Sequence, residues 1–179
     1  MAPHTNELTL VLGGTRSGKS AVAERLAEAL GSDVTYVATA VLDAGDADHV
    51  ARIDAHRARR PATWSTVECL HPADLPTVLA QIDGPVLLDS VGTWVAGHAD
   101  LVVDPAPLVA ALEARTAPTV VVAEEVGWSL HAPTAIGRRF VDAVGLTNQA
   151  IASVADRVLL VIAGRVLELP PADDAVPPC

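Results

Sequence analysis

Near the start of the chain, Gly13-Gly14-Thr15-Arg16-Ser17-Gly18-Lys19-Ser20 fits the pattern G-x-x-x-x-G-K-[ST]. These residue types at this spacing suit a phosphate cradle. The glycines let the backbone curl so that successive N–H groups point inward at phosphate oxygens. Lys19 can reach the terminal phosphates, and the Ser20 hydroxyl can ligand Mg²⁺. A helix opened at this point adds the positive end of its dipole. The context fits: the apolar run 8–12 (LTLVL) precedes the motif, and a helical pattern, 19–30 (KSAVAERLAEAL), follows it.

A second carboxylate usually assists such a metal from a neighbouring strand end. Asp89, closing the run 85–89 (PVLLD), is the candidate. Its competing role is an N-cap for the segment Ser90 to Gly97. Glu124 and Glu125 follow the other strongly apolar run, 118–123 (PTVVVA). Beside a phosphate site they could hold Mg²⁺ or act as a base. In a plain loop they would be solvated charges.

A histidine among arginines is the other feature with chemical reach. The charges over Asp43 to Arg60, acidic first and basic last, suit a helix and its dipole. On such a helix Arg52, His56, Arg59 and Arg60 share a face. Neighbouring guanidiniums disfavour a second positive charge, so they keep the imidazole neutral and nucleophilic. They also grip phosphates as planar forks. His56 could then attack a nucleotide's α-phosphate. Residues of this kind are also common on a merely solvated basic face.

The remaining elements must position these groups. Half of the 179 residues are hydrophobic, mostly Ala, Val and Leu, as suits helices packed on an aliphatic sheet. Strands are expected at 34–38, 64–68, 85–89, 118–123, 157–162 and 165–169, besides the first. Helices are expected at 72–82, 105–115 and 134–155, the last interrupted by Gly145. Ala163-Gly164 marks a short hairpin. This alternation predicts an α/β fold: a mostly parallel sheet covered by helices on both faces, with a C-terminal antiparallel hairpin. Residues 1–179 read as one domain, with 1–7 and 170–179 as loose tails.

With 12 Lys+Arg against 22 Asp+Glu, the formal net charge is -10. That balance disfavours non-specific hold on a phosphate polymer, so no nucleic-acid partner is expected. Cys69 and Cys179 are the only cysteines and form no metal or disulfide framework. His4, His49, His71, His98 and His131 lack metal-ligand spacing. Met1 to Glu7 is polar, without a secretory apolar region, and no apolar stretch approaches membrane-span length. The expected location is the cytoplasm.

Beyond the phosphate motif, the chain carries Tyr36-Val37-Ala38-Thr39-Ala40 and then R-I-x-x-H-x-x-x-R-P-x-x-W-x-T-x-E over Arg52 to Glu68. Later runs are Leu87 to Trp94, Glu125-Val126-Gly127 with Pro133, Arg138 to Asp142, Asn148-Gln149 and Ala155-Asp156. Together they resemble the bifunctional adenosylcobinamide kinase/adenosylcobinamide-phosphate guanylyltransferases of cobalamin biosynthesis, over roughly residues 8–169. The resemblance implies a P-loop NTPase-like fold and two activities. In one, ATP or GTP phosphorylates the aminopropanol hydroxyl of adenosylcobinamide. In the other, His56 takes GMP from GTP as a guanylyl-histidine and passes it to adenosylcobinamide phosphate, giving adenosylcobinamide-GDP. Mg²⁺ would shield the phosphates in both.

By the same resemblance the nucleotide site comprises residues 13–20, Ala38, Thr39, Ala40, Arg57, Ala58, Arg59, Arg60, Glu68 and Asp89, with Ser20 and Asp89 serving Mg²⁺. Glu68 could read guanine, because a carboxylate accepts from the adjacent N1–H and N2–H₂ donors. Asp89 competes for that role. Trp64 reads as a packing residue. Arg138, Asp142 and Gln149 fall at roughly helical spacing, and either line a corrinoid pocket or face water. The family tends to carry Asn where Glu124 stands and Gly where Ser129 stands. The resemblance also suggests a homo-oligomer, a trimer being the form it favours. Two other functions fit the phosphate motif: a kinase for another small metabolite, and a GTP-binding regulatory protein without catalysis.

Overall fold

A computed structural model describes residues 6–39, 60–128 and 132–172. The apolar runs become strands that share one sheet. β1 (Leu8–Gly13), β2 (Thr35–Ala38), β3 (Ser65–Glu68), β4 (Val86–Asp89), β5 (Thr119–Glu124), β6 (Arg157–Ile162) and β7 (Arg165–Leu169) lie in the order β3-β2-β4-β5-β1-β6-β7. All neighbours pair parallel except β6 and β7, which form the antiparallel hairpin expected at Ala163-Gly164. These two turn residues have φ of 51° and 75°, the left-handed geometry a tight hairpin needs.

Successive strand residues point to opposite faces, and both faces are covered. On one face Val11, Leu87, Val120, Val122 and Val161 pack with Val22, Ala23 and Ala27 of α1 (Lys19–Glu28). On the other, Leu10, Leu88, Val121 and Ala123 pack with four shorter or longer helices. These are α2 (Leu75–Ala80), α3 (Val91–Ala96), α4 (Ala106–Glu113) and α5 (Ala135–Ala152). This is why β5 is apolar without alternation: Thr119 through Ala123 are all buried.

Several boundaries differ from expectation. The helix expected at 72–82 is a 3₁₀ turn, Pro72–Asp74, leading into α2. α5 is not interrupted at Gly145. A helical glycine costs only ~1 kcal/mol relative to alanine. Buried Val144, Thr147, Asn148 and Ile151 on the same helix offset it. The helix ends at Ala152, short of 155, because Asp156 is committed to β1. Its backbone N–H donates to the Leu8 carbonyl at 2.9 Å, and its carboxylate accepts from the Leu8 N–H at 2.7 Å.

Arg115 ties the sheet's amino edge together. Its buried guanidinium donates to the carbonyls of Leu79 (2.7 Å) and Ile82 (2.8 Å), to that of Gly84, and to Thr119 Oγ1 (2.8 Å). Burial lowers its pKa from the ordinary arginine value, and the nearby Asp83 charge opposes that shift.

Leu88 is 0% exposed between β2 and β5. Leu88→Ala should lower unfolding free energy by ~2–5 kcal/mol, through lost transfer energy and the cavity left behind. Urea denaturation followed by circular dichroism would measure it; a loss below ~1 kcal/mol would contradict this packing.

Candidate functional site

Every parallel strand ends its carboxyl terminus on the same edge of the sheet, and the chemistry gathers there. β1 delivers Gly13 to that edge and the chain turns into α1. Ser17 N–H donates to the Gly14 carbonyl at 3.2 Å, and Gly18, at φ 95°, opens the helix from the left-handed region. The N-cap of α1 is Gly18, which has no side chain to cap it, and no acidic residue occupies the first turn; Ser17 Oγ accepts from the Lys19 N–H at 3.3 Å. The next N–H groups of the first turn and the helix dipole face an incoming anion. The β6–β7 turn supports the loop from beside: Gly164 N–H donates to the Ser17 carbonyl at 2.7 Å.

Lys19 Nζ lies 3.5 Å from the Gly14 carbonyl oxygen and 4.0 Å from Glu124 Oε1. Glu124 pairs in register with Gly13, because β5 adjoins β1. Its carboxylate accepts from Ser90 Oγ at 2.8 Å and from the Gly92 N–H at 2.7 Å. The reading of Glu124 as a solvated loop charge is thus corrected: strand pairing carries it to the loop lysine. Glu125 points the other way. It accepts from the Gly127 N–H at 3.0 Å and lines a groove of about 470 Å³ against α5.

Asp89 closes β4, one strand beyond β5, in register with Ala38 of β2. Its capping alternative is overturned. Ser90 is the N-cap of α3, in a reciprocal capping box with Thr93, while Asp89 one residue earlier still belongs to β4. The Asp89 carboxylate instead accepts from Tyr36 Oη at 2.7 Å. Burial, then the Asp89 charge, raises the Tyr36 pKa well above the ordinary tyrosine value. The Arg60 guanidinium sits 3.2 Å above the Tyr36 ring centre. Arg60, Pro61, Trp64 and Glu68 border an open cleft of about 340 Å³ on this side. Trp64 also packs against the α1-side core, as expected of a packing residue.

The expected site residues thus divide. Residues 13–20, Ala38, Glu68 and Asp89 share the carboxyl edge, with Arg60 over Tyr36. Thr39 is 4% exposed and turned inward. Its Oγ1 donates to the Ser90 carbonyl at 2.7 Å and accepts from the Ser90 N–H at 3.0 Å, so it braces the β4–α3 junction. Ala40, His56, Arg57, Ala58 and Arg59, with the expected helix up to Arg59, lie outside the described residues. Asp142 and Gln149 line the groove against α5, whereas Arg138 donates to the Ala132 carbonyl and lines none of that groove. Sequence reasoning gave no role to Tyr36, Ser90 or Asn148. A lone tyrosine within a buried strand was the available signal for the first. Asn148 Nδ2 donates to the Glu124 carbonyl at 3.0 Å, a contact between distant elements with no local signature.

A parallel sheet with a glycine-rich phosphate loop between its strand β1 and helix α1 defines a P-loop nucleotide-binding fold. Solved structures agree. The flagellar accessory protein FlaH from Methanocaldococcus jannaschii aligns with TM-score 0.52 at 16% identity, over 90% of this chain and 75% of that one. An ATPase from a bacterial type III secretion system aligns with TM-score 0.54 at 12% identity, over 87% of this chain and 51% of that one. At such identities the likeness concerns the fold alone.

Sequence comparison is more specific. The family model described as cobinamide kinase / cobinamide phosphate guanyltransferase matches residues 9–169. The bifunctional adenosylcobalamin biosynthesis protein CobP of Pseudomonas aeruginosa is 38% identical over 170 residues, covering 89% of this chain and 95% of that protein. CobU of Salmonella typhimurium, described in the same words, is 34% identical over 180 residues, covering 88% and 96%. The chain belongs to the cobinamide kinase / cobinamide phosphate guanyltransferase family of transferases. Among the described residues, no helix is long and apolar enough to cross a membrane.

Tyr36 is the chain's only tyrosine, so its titration can be read alone. Its folded pKa lies above its unfolded value. The stability it contributes is therefore complete below pH about 10 and is lost as pH rises beyond that. In an alkaline titration, tyrosinate absorbance should appear only together with unfolding seen by circular dichroism. A folded protein titrating with a midpoint near pH ~10 would contradict the buried Tyr36–Asp89 bond.

Proposed function

We propose that this chain phosphorylates the aminopropanol hydroxyl of adenosylcobinamide with ATP or GTP, and then transfers GMP from GTP to adenosylcobinamide phosphate through a guanylyl-His56. The observation that carries this reading is the meeting, at one sheet edge, of the phosphate loop, Asp89, Glu68 and Arg60, in a chain of this family. Arg60 is four residues after His56, and four residues of chain span no more than about 14 Å.

In the kinase step the amino-terminal turn of α1 and Lys19 hold the transferring phosphoryl group. The alcohol oxygen attacks the γ-phosphorus and gives up its proton while the bond to the β-phosphate breaks and the nucleoside diphosphate leaves. The charge spread over the equatorial oxygens is stabilised by fixed donors that need not reorganise. In the second step a neutral His56 attacks the α-phosphorus, and pyrophosphate leaves. The corrinoid phosphate then displaces the histidine, so that a single hard transfer is divided into two. Glu68 or Asp89 reads the guanine N1–H and N2–H₂ edge.

The residues suit Mg²⁺: Ser20 lies in the first turn of α1, and the Asp89 carboxylate is held in place by Tyr36. Ser20 and Asp89 would hold the ion, which supplies charge neutralisation at the phosphates. We place the reaction in the cytoplasm and in a homo-oligomer, with a trimer as the favoured form.

The test is covalent labelling. The protein is incubated with Mg²⁺ and GTP labelled at the α-phosphate, denatured and examined for bound label. Acid-labile, base-stable label that is absent from His56→Ala and discharged by adenosylcobinamide phosphate is the expected result. GTP bound without any label would remove the covalent step and leave a kinase for a small metabolite or a nucleotide sensor.

A further inference from the structure

Lys19 is the only lysine in the chain and, with Arg16, one of two cationic side chains in the phosphate loop. It does not stand alone: Glu124 Oε1 is 4.0 Å away, and the two side chains are only 13% and 26% exposed. Glu124 is seated from three directions. Ser90 Oγ donates to one carboxylate oxygen and the Gly92 N–H to the other, at 2.8 Å and 2.7 Å. Asn148 Nδ2 holds its backbone carbonyl at 3.0 Å. Gly92 completes the seat, because a Cβ at that position would overlap Glu124 Oε2. A carboxylate held in this way cannot swing into solvent when a polyanion arrives.

We propose that Glu124 makes nucleotide binding at the phosphate loop conditional on a divalent cation, so that the site rejects metal-free nucleoside triphosphate and accepts the cation complex. This rests on the loop being the triphosphate site. The terminal phosphates must approach Lys19, and so must approach a fixed negative charge that already neutralises it. At a partly buried site, like charges a few ångströms apart repel far more than in bulk water. A divalent cation carried in with the phosphates cancels that repulsion, whereas the bare triphosphate has nothing to offset it. Glu124 is in this account a specificity-determining residue: it selects the charge state of the nucleotide.

Calorimetric titration of GTP into the full chain tests this, with excess Mg²⁺ and separately with chelator, for the wild type, Glu124→Gln and Glu124→Asp. Glutamine keeps the shape and can still bond Ser90 and Gly92; aspartate keeps the charge. The expected result is that E124Q gains about tenfold in affinity for metal-free GTP and changes little with Mg²⁺. The ratio of the two affinities then shrinks by about the same factor, and E124D keeps a ratio near that of the wild type. Glu124→Asn is the second charge-removing variant, should E124Q not fold. An unchanged ratio in the charge-removing variants, or an equal loss of affinity in both conditions, would overturn the proposal while leaving the phosphate-loop reading intact. A folded wild type that binds no GTP in either condition would overturn both.

Discussion

At Gly13 the chain must leave the sheet and curl toward α1, and the space there admits no side chain. A Cβ on Gly13 would stand 2.8 Å from the Val161 carbonyl oxygen and 2.5 Å from Ser17 Oγ. That close fit needs β1 flanked by β6, and the hairpin turn beyond β6 in turn supports Ser17. It also needs β5 on the other side, where the Glu125 N–H donates to the Gly13 carbonyl at 3.0 Å. The central strands are apolar on both faces because they must be buried to hold this junction. The fold positions the phosphate loop by making β1 central.

Electrostatics then decides what such a loop can hold. The chain carries a formal net charge of -10, so an anion can be met only locally. The start of α1 and Lys19 supply the positive side. Glu124 on β5 and Asp89 on β4 stand one and two strands away along the same edge. Each carboxylate is restrained by neutral donors, Ser90 and Gly92 for one and Tyr36 for the other. Glu124 also faces Lys19, so part of the loop's positive side is offset before an anion arrives.

Much of this was legible in the sequence because its signals are local. The phosphate motif needs only its eight residues and their flanks. The strands announce themselves as aliphatic runs, and Ala163-Gly164 as a hairpin turn. What was not legible depends on pairing between distant segments. Glu124 and Glu125 are neighbours in sequence, yet strand alternation sends one to Lys19 and the other to the groove against α5. Thr39 sits in a stretch that resembles a nucleotide-binding run, but its hydroxyl is spent on Ser90. Gly145 reads as a break only until the burial of Val144 and Asn148 beside it is known. Asp89 could cap α3 by residue type, but strand pairing keeps it in β4 and leaves the cap to Ser90.

The central claim is that GTP occupies the loop around Lys19, and the sole lysine gives it a direct test. The protein is treated with a limiting amine-acylating reagent, with and without saturating GTP and Mg²⁺. Acylation of the peptide containing Lys19 is then compared with that of the amino terminus by mass spectrometry. The account predicts that GTP protects Lys19 while the amino terminus reacts as before. Equal acylation of Lys19 in both samples, at a GTP concentration shown to saturate binding, would contradict it.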